Sequence, residues 1–337
     1  MFVNIRDVAR RLDLSITTVS RALDGYEDVA EETRQRVILV AREMGYEPSR
    51  AARQLRRRRA ETIGFIIPTT TPRFSDPFFS EFLAGLGDEV AQRHYELLIS
   101  AAPPGADNER ELYQRWVQSR RIDGVVLTRM RTYDWRVEYL AQRAVPFIAL
   151  GRTTMSIAHP HIEVDSRTGF ARVVAALVER GHRRIGFIGA SPGLVLQADR
   201  MGGYRDGLAS AGIPFDPSLV AEGNLTRLGG YRAAPGLLDL PNPPTAVLGV
   251  NDLTAIGIMR AAHERGLVVG RDLAVTGYDG IEESEHTTPP LATLNVPVYD
   301  VARRLVQMLL ALVDGEPLPE PQVLLQPELI LRQSIGS

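Results

Sequence analysis

Residues 4–23, NIRDVARRLDLSITTVSRAL, decide the fold of the N-terminal region, because their pattern predicts two short helices joined by a tight turn. In the first helix Ile5, Val8, Ala9 and Leu12 recur at the spacing of one helical face. A polar break follows, and a second amphipathic helix comes after it. This arrangement is typical of a helix-turn-helix and equally of a small solvated helical hairpin, so the spacing alone leaves both interpretations open.

The ends of the two predicted helices carry residues that favour helix termini. Asn4 can cap the first helix, and Asp7 in its first turn can accept hydrogen bonds from free backbone N–H groups. Ser15 can cap the second helix. Asp13 lies in the turn between them, and aspartate tolerates the left-handed backbone conformation better than most residues. We therefore expect the turn to form.

The second helix is expected to bury Val19, Ala22 and Leu23 and to present a short, largely uncharged polar face. Such a face can read base edges when its helix lies in the major groove of DNA. The residues predicted to contact DNA from this helix are Ser15, Ile16, Thr17, Thr18, Ser20 and Arg21.

The segments that follow carry a family resemblance. A third helix is predicted over 29–44, with Gly45 as its C-terminal stop. The runs DVARRLDLSITTVSRAL, TRQRV and GYEPSRAARQL, in this order and spacing, resemble the LacI-type (LacI/GalR) family of bacterial transcriptional regulators. The run TTTPRFSDPFFSEFLAG, residues 69–85, resembles its sugar-responsive branch. The resemblance extends over essentially the whole chain and implies that residues 1–47 form a helix-turn-helix DNA-binding head.

Two positions depart from the family pattern. Asp13 stands where the family usually has glycine, and Ala30 stands where the third helix favours a serine cap, a loss of ~1 kcal/mol. Glu31 and Glu32 in the first turn offset part of that loss through the helix dipole. We expect the head to fold despite both changes.

Residues 48–60 are predicted to form a hinge helix and linker. Residues 49–59 hold six arginines and no acid, which after a helix-turn-helix we interpret as a phosphate-contacting element rather than a solvated tail. The resemblance implies that Leu55 is a wedge inserted into the minor groove by two dimer-related hinge helices. A helix this short should order only on DNA. The residues expected to contact DNA from this segment are Arg50, Ala51, Arg53, Gln54 and Leu55.

Charge and composition limit which classes of protein this chain can belong to. The net charge is −2, but residues 1–59 carry 13 Arg against 9 acids, which leaves the remainder acidic. The chain has no Cys, so it can have neither disulfides nor thiolate metal ligands. The N-terminus lacks a signal segment and no run approaches the length of a membrane span. We therefore expect a cytoplasmic, nucleoid-associated protein with no membrane partner.

From residue 61 onward short apolar runs alternate with helical patterns, which predicts doubly wound parallel sheets in an α/β body. The predicted strands are 62–67, 97–100, 124–127, 147–150, 185–188, 246–249, 274–278 and 328–331. The predicted helices are 78–93, 108–120, 166–180, 226–238 and 251–265.

A break near His161 divides this body, residues 61–337, into two lobes. The resemblance implies a periplasmic-binding-protein-like body for effector binding and dimerisation, in which the chain crosses between lobes near residues 162, 291 and 324. Lobe one is then about 61–161 and 292–323, and lobe two is about 162–291 and 324–337.

Catalytic and metal motifs are weak. The run GASPG, residues 189–193, matches GxSxG, but the residue after the serine is Pro192, which lacks the backbone N–H that an oxyanion hole needs. The chain has no Lys and therefore no phosphate-loop GxxxxGK motif. His159 and His161 have no evident third ligand. We expect no enzyme activity, no catalytic residue, no metal and no cofactor.

Ligand binding is better supported. In open α/β sheets ligands bind beyond the carboxyl ends of the strands. Arg200 lies in a run that we place at the start of a helix, and Phe78 or Phe79 can stack on a sugar ring. Taken singly, Asn251 and Asp279 can equally be helix caps, and either phenylalanine can be core. The residues predicted to bind an effector are Asp76, Phe78, Thr128, Arg152, Arg200, Asn251 and Asp279, with Asp252 beside them.

These features predict a DNA-binding transcriptional regulator, a repressor of a carbohydrate-utilisation operon, controlled by a mono- or oligosaccharide bound between two lobes. The resemblance implies that Arg200 and the acids bind vicinal sugar hydroxyls. Leu225 stands where some relatives carry a stacking tryptophan, so a purine or nucleoside effector stays open. A solute-binding protein and a sugar-processing enzyme are more distant alternatives. One head reads half a site, so we expect a homodimer on palindromic operator DNA. The chain has no heptad tail for tetramers.

Overall fold

The structure, a computed structural model, describes residues 3–26, 28–46, 59–69, 76–103, 105 and 107–336. The chain divides into two units, Met1–Ala60 and Glu61–Ser337, at the position where the sequence analysis ends the linker. Within the described residues the first unit is all-α and the second is α/β.

The described part of the first unit consists of three helices, α1 (Ile5–Leu12), α2 (Ile16–Leu23) and α3 (Glu31–Glu43). The small core between them confirms the inward-facing positions predicted at Val8, Ala9, Val19 and Ala22. Leu23 is only partly buried and packs at the edge of this core. The buried apolar side chains are Val8, Ala9, Val19, Ala22, Val29, Val37 and Ala41.

Two six-stranded sheets organise the second unit. In chain order the strands are β1 (Thr62–Pro68), β2 (Glu96–Ala102), β3 (Gly124–Leu127), β4 (Phe147–Leu150), β5 (His161–Val164), β6 (Ile185–Gly189), β7 (Val220–Glu222), β8 (Ala246–Gly249), β9 (Ala274–Asp279), β10 (Ala292–Asn295), β11 (Gln322–Leu325) and β12 (Glu328–Ile330). The first sheet has the order β2–β1–β3–β4–β5–β11 and is parallel throughout. The second has the order β7–β6–β8–β9–β10–β12, and only β12 runs antiparallel. The predicted pair of doubly wound lobes is confirmed.

Helices cover these sheets and complete the two lobes. They are α4 (Pro77–Gln92), α5 (Asp107–Gln118), α6 (Trp135–Gln142), α7 (Ser166–Glu179), α8 (Val195–Ser210), α9 (Arg227–Ala233), α10 (Pro235–Leu238), α11 (Asp252–Glu264), α12 (Glu283–His286) and α13 (Val298–Asp314). The single helix predicted over 226–238 is wrong: Pro235 lacks a backbone N–H and starts a new helix, α10. Arg200 lies in the second turn of α8 rather than at its start.

The chain passes between the two sheets after Val164, after Asn295 and after Leu325. The predicted lobe limits at 161–162 and 323–324 cut through β5 and β11, and the limit at 291–292 assigned β10 to the wrong lobe. Strand membership depends on the partner strand, which the local sequence pattern does not contain. β5, β7, β10 and β11 were also missed, since each includes at least one polar residue among its three or four and so has a weak apolar pattern in the local sequence.

Candidate functional site

The turn of the N-terminal head has the predicted capping chemistry. The Asn4 side chain accepts from Arg6 N at 2.9 Å, and Asp7 Oδ2 accepts from Asn4 N at 3.0 Å. Asp13 has φ 55° and lies in the left-handed region, as predicted. Ser15 Oγ accepts from Thr18 N at 3.0 Å and so fixes the start of α2. The two helices of the motif are thus each held at their first turn.

The outer face of α2 is mostly as predicted. Ser15 and Thr17 are exposed, Ile16 is 45% exposed, and Thr18 is half-buried. Arg21 is exposed, forms a salt bridge with Asp28 and lies over the Tyr26 ring. A row of polar and cationic groups with one exposed aliphatic side chain can contact base edges and phosphates.

Ser20 does not belong to that outer face. It is 7% exposed, and its hydroxyl lies 3.4 Å from Asp24 Oδ2, one turn further along the chain. A small hydroxyl with a local hydrogen-bond acceptor can be buried at little cost in free energy, so the polarity of Ser20 did not indicate that it is exposed. The prediction that Ser20 points outward is wrong. The predicted hinge contacts lie outside the described residues and stay predictions: Arg50, Ala51, Arg53, Gln54 and Leu55.

A cleft at the carboxyl ends of the strands contains two adjoining cavities, one of about 110 Å³ and one of about 630 Å³. We name them the smaller and the larger cavity. Residues of both lobes line each of them, and Arg129 and Leu225 line both. The cleft therefore lies where open α/β sheets bind ligands.

The structure brings together six of the seven predicted effector-binding residues. Phe78, Thr128, Arg152, Arg200 and Asp279 line the smaller cavity, and Asp76 lines the larger one. These side chains come from both lobes and from positions up to 203 residues apart in the sequence, between Asp76 and Asp279.

Asn251 lines neither cavity. Its side chain caps α11 by accepting from Thr254 N at 3.1 Å, and it donates to Leu225 O at 3.3 Å. The capping alternative raised from the sequence is therefore the one observed, and Asn251 acts by fixing the loop that carries Leu225. Its neighbour Asp252 is also fully buried, where it accepts from the backbone N–H groups of Gly280 and Ile281.

Arg200 is held over an aromatic ring in the smaller cavity. Its guanidinium lies 3.7 Å from the Tyr278 centroid, and Nη1 donates to Val250 O at 2.6 Å. Nη2 lies 4.0 Å from Asp279 Oδ1. Nε is buried and has no hydrogen-bond partner among the described residues. The arginine is thus fixed in place, with one of its N–H donors unsatisfied among the described residues.

Arg129 was missed by the sequence analysis, which named Thr128 beside it. Arg129 Nη2 donates to Asp76 Oδ2 at 3.2 Å, and its guanidinium lies 5.4 Å from the Phe79 centroid. Burial lowers the pKa of Arg129, opposed by the charge of Asp76. Burial also raises the pKa of Asp76, opposed by Arg129. The sequence analysis took the first residue after the strand β3, which is Thr128, and did not consider Arg129, the next residue.

Arg152 joins the two lobes across the smaller cavity. Its Nε lies 2.9 Å from Glu163 Oε1 on β5, and Nη2 lies 2.9 Å from Asp199 Oδ1 on α8. Neither acid was named from the sequence, because β5 was missed and Asp199 is separated from a strand end. Burial raises the pKa of Glu163, opposed by Arg152.

Two carboxyl groups, Asp279 in the smaller cavity and the buried Asp252, have raised pKa values. Burial and, to a lesser extent, the charge of Asp279 raise the pKa of Asp252 to about 8. Burial raises the pKa of Asp279 to about 7, against the opposing charge of Arg200. A carboxyl that is protonated near neutral pH can both donate and accept hydrogen bonds at this site.

The GxSxG run and the two histidines do not assemble the sites that their patterns suggest. Ser191 Oγ lies 2.6 Å from Glu222 Oε1 and 2.6 Å from Asn224 Oδ1, with no histidine in that group, so the GxSxG match lacks the serine–histidine pair of a hydrolase. His159 stacks on Phe147, and its Nδ1 lies 3.0 Å from Ile157 O. Among the described residues no cluster of three His, Cys, Asp or Glu side chains could hold a metal ion.

Two family models match the chain. Residues 4–49 match the bacterial regulatory proteins of the lacI family, and residues 174–335 match a periplasmic binding protein-like domain. The chain is 34% identical over its full length to the HTH-type transcriptional regulator AglR of Rhizobium meliloti, covering 95% of that protein. The chain belongs to the lacI family of bacterial regulatory proteins.

Other lacI-family members align over nearly the same length. The HTH-type transcriptional repressor CytR of Escherichia coli is 34% identical over 98% of the chain and 95% of that protein. The structure of a lac repressor dimer bound to operator and the anti-inducer ONPF matches with TM-score 0.86 and 25% identity, covering 100% of both chains. A complex of the transcriptional regulator CelR with cellobiose matches with TM-score 0.76 and 27% identity, covering 98% of this chain and 99% of that one. These relatives are transcriptional regulators rather than enzymes.

No helix within the described parts of this lacI-family chain has both the length and the apolar character needed to cross a membrane.

Proposed function

We propose that this regulator binds palindromic operator DNA as a homodimer, and that a neutral carbohydrate in the cleft controls its affinity for that DNA. The observation that carries the effector proposal is the lining of the cleft, where Thr128 and Arg200 each have a buried polar atom without a hydrogen-bond partner among the described residues, beside arginine–carboxyl pairs. Because operator DNA lies in the bacterial cytoplasm, the protein acts there.

The charges of the cleft favour a neutral ligand. Each lining arginine lies within 4.0 Å of a carboxyl group, and these carboxyl groups offset most of the positive charge that a phosphate or another anion would need. Hydroxyl groups, by contrast, can accept from Arg200 Nε and exchange hydrogen bonds with Thr128 and Asp279. The pairs are Arg129–Asp76, Arg131–Glu109, Arg152–Glu163, Arg152–Asp199, Arg200–Asp279 and Arg227–Glu283.

The names of relatives point the same way. A solved structure of CelR is a complex with cellobiose, and the ribose operon repressor of Haemophilus influenzae is 30% identical over 99% of this chain. Phe78 lines the smaller cavity and can stack on the apolar face of a sugar ring. Arg200 covers the Tyr278 face, so Phe78 is the ring that we place against the ligand, and the sugars in the names of the relatives favour a sugar over a nucleoside there.

The two lobes contact each other across the cleft, so a ligand bound there can change how the lobes are arranged. Val195 N donates to Met130 O at 3.0 Å, and Thr132 N donates to Gly193 O at 2.9 Å. A ligand that contacts both lobes lowers the free energy of this closed arrangement and shifts the population toward it. If the ligand binds the closed form more tightly than the open form by ~1.4 kcal/mol, the ratio of closed to open protein rises tenfold.

Thermal unfolding of the full-length protein with a panel of sugars and nucleosides tests the effector class, because a ligand of the native state raises the unfolding temperature. Any hit is then added to an operator-binding titration. We expect at least one neutral sugar to raise the unfolding temperature and to change the apparent Kd for a palindromic duplex. A response to nucleosides alone would overturn the carbohydrate proposal. Binding to single half-sites as tight as to palindromes would overturn the dimeric mode.

A further inference from the structure

The loop between α2 and α3 of the head carries an acid that pairs with a predicted DNA-contacting residue. Asp28 in this loop forms a salt bridge with Nη2 of Arg21 on α2. The Tyr26 ring, from the same loop, faces the guanidinium, with 5.1 Å between Arg21 Cζ and the ring centroid. One loop thus holds Arg21 with both a carboxylate and an aromatic face.

This loop is itself fixed to both neighbouring helices. Arg34 on α3 donates from Nη2 to Tyr26 O at 2.7 Å and to Val29 O at 3.4 Å. Arg34 Nη1 donates to Glu31 Oε2 at 2.9 Å, which fixes the guanidinium in turn. On the other side Tyr26 N donates to Arg21 O at 3.1 Å. The carboxylate and the ring that contact Arg21 therefore have a defined position in the head.

Neither stability nor overall affinity for DNA explains the Arg21–Asp28 pair. The two side chains are 45% and 52% exposed, and an exposed ion pair adds little to the free energy of unfolding because water screens its charges. A carboxylate on a surface that binds DNA also repels phosphates, so it lowers the affinity for DNA of any sequence. What the pair does change is the direction in which the Arg21 guanidinium points.

The orientation of an arginine matters when it reads a base. A guanidinium has five N–H donors in a planar fork, so an arginine that pairs with one carboxylate through Nη2 still has donors for the O6 and N7 acceptors of a guanine. That contact requires the fork to be aligned with the base pair. A side chain that is held before DNA arrives loses less conformational entropy on binding.

We infer that Asp28 is a positioning residue for base readout: with Tyr26 it orients Arg21 so that the guanidinium reads one guanine in each half of the operator. This inference rests on the proposed operator binding. Asp28 itself contacts no base in this arrangement. Its charge lowers the affinity for DNA of any sequence, and its hold on Arg21 increases the difference in affinity between the correct base pair and the others.

Selection of bound duplexes from a library of random DNA sequence tests the inference with the full-length protein. The wild-type protein should select a palindromic sequence. Arg21→Lys keeps the charge but loses the planar fork, so it should relax the preference at one base pair in each half-site and thereby identify the pair that Arg21 reads. Asp28→Ala should relax the preference at that same base pair by about threefold or more.

Glu43→Ala is the matched control, because Glu43 is an exposed acid on α3 and its loss changes the charge of the head by the same amount. It should keep every wild-type base preference. An Asp28→Ala protein with the wild-type preferences would overturn the inference, and so would an Arg21→Lys protein with no altered base pair. The same relaxation in Glu43→Ala would show a general effect of charge and would also overturn it.

The wild-type selection separates this inference from the proposed function. If wild type selects no sequence, operator binding is wrong and the inference is lost with it. If wild type selects a palindrome that Asp28→Ala reads equally well, operator binding stands and only the positioning role is lost. Thermal unfolding of each variant should give the wild-type unfolding temperature, since all three substitutions change exposed side chains.

Discussion

At the scale of single residues, the cleft combines arginines of two kinds. Arg152 places its guanidinium on two carboxylates, Glu163 and Asp199, each at 2.9 Å. Arg200 and Arg131 each keep one buried nitrogen without a partner among the described residues. The paired arginines fix the geometry of the cleft, while we expect the unsatisfied N–H donors to form hydrogen bonds with a ligand.

Arg200→Met tests the ligand role of the arginine over Tyr278. Methionine keeps much of the packing but loses the donor and the charge near Asp279, so the effector response should be abolished while operator binding is retained. Arg205→Met on the same helix is the control, because Arg205 lies over Phe215 outside both cavities. Operator titrations with and without effector measure both properties. An Arg200→Met protein that still responds fully would remove this residue from the site.

The two raised pKa values predict how stability depends on pH. Asp252 and Asp279 have pKa values of about 8 and about 7, above the ordinary 3.8, so the folded state binds more protons than the unfolded state between these limits. Their contribution to the unfolding free energy is therefore full below pH ~4 and is lost as pH rises toward 8. Asp252→Asn should flatten this decline in urea unfolding measured from pH 4 to 8.

Asp272→Asn controls for the general effect of removing a carboxyl. Its pKa is lowered to about 2 by Arg271, so this acid contributes stability above pH ~4 that is lost only at lower pH. The difference between wild type and Asp272→Asn should stay constant from pH 4 to 8. An Asp252→Asn protein with the wild-type slope would contradict the assignment.

At the scale of elements, the caps of the head could be predicted from sequence because they are local. Asn4, Asp7 and Ser15 bond within three residues of their own position, and Asp13 needs only its own φ. Ser20 shows the limit of this reasoning. Ser20 is buried because of how α2 packs in the three-helix core, and the sequence pattern of this eight-residue helix does not specify that packing.

Ala30→Ser should stabilise α3. Ala30 occupies the N-cap with φ −53° and ψ 138° and makes no side-chain cap hydrogen bond, so a serine there gains about 0.5–1 kcal/mol. Hydrogen exchange of the full-length protein, read by mass spectrometry on α3 peptides, should slow. Ala91→Ser, at an exposed position on α4, is the control and should leave α3 exchange unchanged. Unaltered α3 exchange in Ala30→Ser would contradict the predicted gain.

At the scale of the whole molecule, charge is partitioned between the two tasks. Residues 1–59 carry 13 Arg against 9 acids, while the arginines of the cleft are matched by carboxylates. A protein with net charge −2 can therefore bind a polyanion, because the phosphates meet only its basic part.

Salt should separate these two binding activities. If about six phosphates are neutralised, operator affinity should fall by roughly 10³ between 50 and 200 mM salt. Effector affinity should change by less than about twofold over the same range, because hydrogen bonds to a neutral ligand release no counterions. Parallel salt titrations of both ligands give the comparison. A steep salt dependence for the effector would indicate an anionic ligand and contradict the neutral cleft.

The sequence by itself determined what depends on neighbours along the chain: the helices and caps of the head, the most apolar strands and the residues that follow them. Only the tertiary structure decided which lobe receives β5, β10 and β11, that Arg129 and Arg131 line the cleft, and that Asn251 caps a helix behind it. The physical reason is that periodicity and capping are set within a few residues. Strand pairing and the lining of a cleft depend on contacts between segments up to 203 residues apart, as between Asp76 and Asp279.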